Sequence, residues 1–207
     1  MESRYKTKVD ELLVLHKDDA RSLARLRGCM MKGSGSFLHA VPNENLGTKM
    51  YHREFQFAVA YRLGLPLNFS KRSCPMLNCS QKMDEFGDHA LLCAFGGDRI
   101  YRHNALRDSI FHLFRRVGFD AKLEKGGLLD DSNERPGDIF IHSYDSGRPA
   151  AFDVTVSSTM QPSLIYNASQ ESGFVVNAAE ERKDRKFYDK CREKGIDFFP
   201  LAVETLG

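Results

Sequence analysis

Two aspartates and a run of cysteines are the residues of this chain best placed to do chemistry. Asp138 stands in Pro136-Gly137-Asp138, and Asp153 follows after fourteen intervening residues in Phe152-Asp153-Val154-Thr155-Val156. Each lies in a short apolar run rich in Ile, Phe and Val, the pattern of a buried strand. Ser143-Tyr144-Asp145-Ser146-Gly147-Arg148-Pro149 between them is turn chemistry. Two neighbouring strands would set the carboxylates side by side at one end of a small sheet. A carboxylate in a strand core is costly unless it is paired or bound to a metal. The pair therefore points to a divalent-cation site.

A long helix expected over residues 170–194 adds a partner. At about 100° per residue, Val176, Ala179, Glu180, Lys183, Phe187 and Cys191 fall on one stripe. Its apolar members say that the stripe faces the sheet, so Glu180 and Lys183 point inward, where an unpaired charge is costly. A lysine beside a metal-bound water can orient it or stabilise charge developing on a phosphate. The plainer alternative is that both aspartates cap turns at strand ends and Lys183 reaches past its neighbours to solvent.

The second constellation is Cys74-x4-Cys79-x9-His89-x3-Cys93. Three sulfurs and an imidazole suit tetrahedral zinc, and four protein ligands would make the site structural rather than catalytic. His89-x3-Cys93 places two of the ligands on one side of a helical turn. Asp88 is a candidate partner for His89, and His103 is a competing fourth ligand. The alternative is that these cysteines are small buried hydrophobes. Cys29 and Cys191 lie on apolar helical stripes and read as core.

The elements that must position these groups are legible in outline. Residues 6–30 carry Val9, Leu12, Leu13, Ala20, Leu23 and Leu26 at helical spacing, and Gly33-Ser34-Gly35-Ser36 ends the run. A second helix is expected from about Lys49 to Leu63. Residues 104–117 read as a helix with Leu106, Ile110, Leu113 and Val117 on one stripe and Asn104 as N-cap. Strands are expected near Ala121–Glu124, 137–143, 150–157 and Ile196–Glu204, with a loop at Gly126–Glu134 and a glycine cap at Gly195. The expected fold class is α/β (α+β), an αβββαβ order around a mixed sheet. It divides as a helical segment 1–70, a zinc knuckle 71–103 and a core 104–207.

Composition narrows the setting. A net charge of +2 makes any nucleic-acid affinity local, and Arg99, Arg102, Arg107, Arg115 and Arg116 against Asp108 form one basic run. Arginines on a solvated helix face are the plain reading of that run. No stretch approaches the roughly 20 apolar residues of a membrane span. The first residues lack the apolar core of a signal peptide. Five cysteines, three of them clustered, favour metal in a reducing compartment over disulfides. An intracellular protein is expected.

Taken in order, the cysteine–histidine set, Arg102-His103-Asn104, Arg135-Pro136-Gly137-Asp138, Phe152-Asp153-Val154-Thr155 and the Glu/Lys-rich helix resemble one domain type. It is the restriction-like endonuclease at the carboxy terminus of site-specific non-LTR retrotransposons, a branch of the PD-(D/E)xK superfamily. The resemblance covers residues 74–204, and the stretch 33–67 is similar to the region ahead of the zinc knuckle in such elements. It implies a Mg²⁺-dependent endonuclease that nicks target DNA, with DNA as partner, the element's RNA as a second partner, and a nuclear location. The two acids carry over onto Asp138 and Asp153, and the zinc ligands onto Cys74, Cys79, His89 and Cys93. The superfamily lysine, absent from Val154-Thr155, is implied to come from the helix as Lys183. The chain departs from the pattern at Gly137, which stands between the usual Pro and Asp, and at Phe187, where a tyrosine is expected.

On this reading Asp138, Asp153 and the Val154 carbonyl hold Mg²⁺, Lys183 positions water, and Glu180 or Glu124 completes the metal shell. The arginine run would contact phosphates without reading sequence. Two rivals stand beside it. One is a nucleic-acid-binding module that has lost catalysis at Gly137, and the other is a resolvase-like enzyme of the same superfamily that cuts four-way junctions.

Overall fold

Asp19 divides the first expected helix. In the computed structural model, which describes residues 2–45, 47–69, 72–129 and 134–206, residues 6–30 form α1 (Glu2–Leu15) and α2 (Ala20–Cys29). Asp19 is extended, and its carboxylate accepts from the N–H groups of Arg21 and Ser22. Such a cap satisfies orphan donors at the start of α2, so a new helix begins there despite unbroken periodicity. Next comes α3 (His52–Leu63), where the Glu54 side chain accepts from Tyr51 N–H at 2.8 Å and Gly64 closes the helix with φ 69°. A short α4 (Asp88–Leu92) precedes α5 (Asp98–Arg116). Asn104 is therefore inside a helix that starts earlier, at the left-handed Gly97, and does not cap it. The remaining elements are β1 (Ala121–Leu123), β2 (Ile139–Asp145), β3 (Arg148–Ser157), α6 (Ile165–Gln170), α7 (Phe174–Glu193) and β4 (Asp197–Glu204). The helix expected over 170–194 is interrupted near Gly173, which has φ 80°. The loop expected at Gly126–Glu134 lies partly outside the described residues.

These elements make two compact units that interleave along the chain. The first takes residues 1–96, 158–175 and 204–207, and the second takes 97–157 and 176–203. Core packing explains the interleaving. Ala24 of α2 is buried with Met160, Ala168 and Val175, and Leu164 and Phe174 pack around them. Arg27 Nε donates to the Ser169 carbonyl at 2.7 Å. The segment after β3 thus supplies the apolar surface that the amino-terminal helices need. The helical segment and the knuckle, expected to be separate, fall within this one unit together with 158–175 and 204–207.

The second unit is a mixed α/β arrangement, a four-stranded sheet in the order β1-β2-β3-β4. β1 pairs antiparallel with β2, and β2 with β3, in register at Ile139↔Phe152 and Ile141↔Ala150. Ser146 and Gly147, both at positive φ, make the two-residue turn between Asp145 and Arg148. Alternation along the strands sends side chains to opposite faces. Ala121, Ile139, Ile141, Ala150 and Phe152 meet Ile110, Phe111 and Phe114 of α5. Phe140 and Ala151 meet Phe187 and Cys191 of α7, with Ile196 and Phe198. No helix among the described residues is long and apolar enough to cross a membrane.

Candidate functional site

Gly137 is where the backbone is most tightly constrained. A Cβ there would lie 2.9 Å from the Phe152 carbonyl oxygen and 3.0 Å from its nitrogen, both backbone atoms that no rotamer can move aside. With no side chain in the way, the segment closes on β3 and Asp138 N–H donates to Phe152 O at 2.9 Å. Asp138 consequently stands just ahead of β2 rather than within it. Its own carbonyl accepts from Glu124 N–H at 2.9 Å, so its backbone is fixed from both sides. Its side chain continues the ladder: Oδ2 accepts from Val154 N–H at 2.7 Å. The glycine read from sequence as a departure is what brings the carboxylate against β3.

Asp153 lies inside β3 on the face turned to α7, and only 6% of it is exposed. Lys183 Nζ lies 2.8 Å from its Oδ2. Burial pushes the Asp153 carboxyl up to about 6; Lys183 pulls it down, and the neighbouring Asp138 charge adds to the rise. The structure therefore brings Asp138, Asp153 and Lys183 together. It adds one residue that the sequence reading assigned elsewhere. His103, read as a competing zinc ligand, points from α5 into this site, with Nε2 3.3 Å from Asp138 Oδ1. The sequence offered it only as that ligand and as part of Arg102-His103-Asn104.

Other expected members are engaged elsewhere. Glu180 Oε1 accepts from Ala202 N–H in β4 at 3.3 Å. β4 is an edge strand, and Pro200, on the same side as that N–H, has none to offer. Glu180 and Pro200 thus blunt the open edge. Glu124 has φ 50°, and Arg107 and Arg135 hold its two carboxylate oxygens at 2.8 and 3.0 Å. The expected basic run is not one stripe, because at about 100° per residue Arg99, Arg102, Arg107, Arg115 and Arg116 point to different sides of α5. Arg107 is also bonded to Asp108, and Arg115 pairs with Asp120 at 2.9 Å. Arg99 and Arg116 are exposed. Phe187 is core and its neighbour Tyr188 is half exposed, so no tyrosine stands one turn after Lys183.

In the other unit, Cys74, Cys79, His89 and Cys93 present donor atoms that all lie within 4.8 Å of one another, and together they can hold a metal ion. Among the described residues this is the one such group. Cys74 Sγ and Cys93 Sγ are 3.8 Å apart, and Cys79 Sγ is 3.4 Å from His89 Nε2. Tetrahedral zinc with bonds of about 2.3 Å to sulfur and 2.0 Å to nitrogen calls for separations of about 3.8 and 3.5 Å. All five cysteines of the chain are free of disulfides.

Local sequence explains the approach. The Ser73↔Lys82 bridge and the left-handed Asn78 fold residues 74–79 into a turn that carries two sulfurs. Asp84 accepts from the N–H groups of Phe86, Asp88 and His89, which fixes the start of α4 and therefore His89. Cys93 N–H donates to the His89 carbonyl at 2.8 Å, closing the turn with the last ligand. The Phe95 N–H beside Cys93 pulls its thiol below the ordinary range, toward the thiolate that binds metal. Asp88, expected as a partner of His89, instead has its carboxylate paired with Arg21 and Arg25 of α2. Burial pushes Asp88 up despite both arginines, so the pairing fastens α4 to α2 more than it stabilises.

No family model, curated protein or solved structure matches the chain. Function rests on the geometry.

Proposed function

We propose that this chain is a metal-dependent endodeoxyribonuclease of the restriction-like type, with α5-β1-β2-β3-α7-β4 as its αβββαβ core. The observation that carries the reading is the meeting of Asp138 from the segment ahead of β2, Asp153 of β3 and Lys183 of α7, with Lys183 Nζ 2.8 Å from the buried Asp153. The donor set fits a hard divalent cation: two interacting carboxylates, one of them buried, carry more negative charge than Lys183 offsets. Mg²⁺ bound there supplies stabilisation of phosphate charge and a lowered pKa for a coordinated water. Asp138 and Asp153 bind it through carboxylate oxygens. Lys183, stiffened by the α7 packing of Phe187 and Cys191, orients the attacking water through Nζ. Exposed Arg99 and Arg116 contact the DNA backbone without reading sequence. The cysteine–histidine group is a structural zinc knuckle.

The test is nicking of supercoiled plasmid in Mg²⁺. The wild-type chain should nick, and Asp153→Ala and Lys183→Ala should each lose at least about 100-fold in rate, as loss of a positioned catalytic group does. Activity surviving Asp153→Ala would refute the assignment. Salt-dependent DNA binding without cleavage would leave a binding module in its place. Preference for four-way junctions over linear duplex would make it a resolvase.

A further inference from the structure

Resting on that reading, we infer that His103 is the positioning residue that fixes Asp138 for cation binding. Both oxygens of Asp138 are met by the protein. Val154 N–H donates to Oδ2 at 2.7 Å, and His103 Nε2 stands 3.3 Å from Oδ1. The two contacts come from elements on different sides, β3 and α5, so they oppose rotation of the carboxylate about its last bond. A carboxylate oxygen has two lone pairs. Val154 N–H takes one lone pair of Oδ2 and the His103 ring stands against Oδ1, which leaves the carboxylate able to face a cation shared with Asp153.

The placement of His103 is itself built. His103 and Arg107 are four residues apart on one face of α5. Arg107 is clamped between Asp108 and Glu124, with Nη1 2.8 Å from the Glu124 carboxylate. Glu124 holds a left-handed backbone with φ 50°, and its N–H donates to the Asp138 carbonyl at 2.9 Å. One continuous path therefore runs from the helix that carries His103, through Arg107 and Glu124, to the backbone of the residue that His103 faces. An imidazole on a solvated helix face would need no such registration. His103 is half-buried, so its ring has limited freedom to leave.

Partners that orient a ligating carboxylate are worth roughly 10–100-fold in metal affinity. Mn²⁺ titrated calorimetrically into the zinc-loaded chain reads this directly, without cleavage. His103→Ala should weaken Mn²⁺ binding by roughly 10–100-fold, and His103→Gln, whose amide reaches the place of Nε2, should restore most of it. Zinc content and the thermal transition should stay unchanged in both variants. Equal affinity in wild type and His103→Ala overturns the role of His103 and leaves the nuclease reading standing. A histidine nitrogen coupling to bound Mn²⁺ that vanishes in His103→Gln overturns it as well, because His103 would then be a ligand. A wild-type chain that takes up no Mn²⁺ overturns both.

Discussion

Replacing Asp153 by Asn should make the protein more stable at neutral pH while it removes the proposed activity. Asp153 ionises near 6 in the folded chain against 3.8 for an ordinary aspartate, with burial as the leading cause. The folded state thus holds this proton more tightly than the unfolded state does. The stability that comes with the protonated form is fully present below about pH 3.8 and is lost as pH rises through 6. At about 1.4 kcal/mol per pH unit across that window, ionised Asp153 costs about 3 kcal/mol at pH 7. Asn keeps the shape and removes the charge, and Lys183, 27% exposed, can carry its ammonium to water. The assay is urea denaturation of both proteins from pH 4 to 8 in Mg²⁺-free buffer. Taking the difference between the two cancels whatever the cysteine–histidine group loses at low pH. Asp153→Asn should match wild type near pH 4 and exceed it by about 3 kcal/mol at pH 7. A flat difference, or a variant that is less stable at pH 7, would refute the account of the site as a strained pair of carboxylates.

Three further outcomes follow from the geometry. Gly137→Ala drives a Cβ to 2.9 Å from the Phe152 carbonyl oxygen, and it should cost about 1–3 kcal/mol by chemical denaturation, as overpacking does. Metal analysis should find one zinc per chain, and Cys93→Ser should lose most of it together with several degrees of melting temperature. Glu180→Gln keeps an acceptor for Ala202 N–H, so it should retain nicking within a few-fold of wild type and stability within about 1 kcal/mol. Loss of nicking with unchanged stability would make Glu180 catalytic after all.

What the sequence showed of all this follows the range of its signals. The Asp138 and Asp153 strands, the inward face of Lys183 and the Cys74–Cys93 spacing are local patterns of period two, period 3.6 or fixed ligand spacing, and such patterns can be read without tertiary context. His103, read as a rival zinc ligand, could not be placed beside Asp138, because that partner lies 35 residues further along the chain and nothing near it in the sequence specifies an aspartate. Glu180 shares a stripe with Lys183, yet the two side chains diverge: one ends on Asp153 and the other on the Ala202 backbone. Stripe membership fixes the face of a helix, while the end point depends on which strand lies beneath. The interleaving of the two units was also out of reach, since the apolar residues at Met160, Ala168 and Val175 give no sign that their partner is Ala24.

Gly137 shows how a departure from a pattern changes meaning in three dimensions. In sequence it separates Pro136 from Asp138 and suggests a displaced, inactive carboxylate. In the structure it lies where any Cβ would overlap the Phe152 backbone, and its smallness lets Asp138 N–H reach the Phe152 carbonyl. That bond sets the height of the Asp138 side chain along β3, where it accepts from Val154 N–H next to Asp153. A larger residue would push Asp138 out of the ladder and away from Asp153, and the repulsion by which Asp138 raises the Asp153 carboxyl would fall. The glycine is thus coupled to the ionisation of a residue on the neighbouring strand. Gly137→Ala should therefore shrink the pH-dependent stability difference between the Asp153→Asn variant and its parent. Comparing the double variant with the two single ones measures by how much, and strictly additive effects at every pH would show that Gly137 and Asp153 act independently.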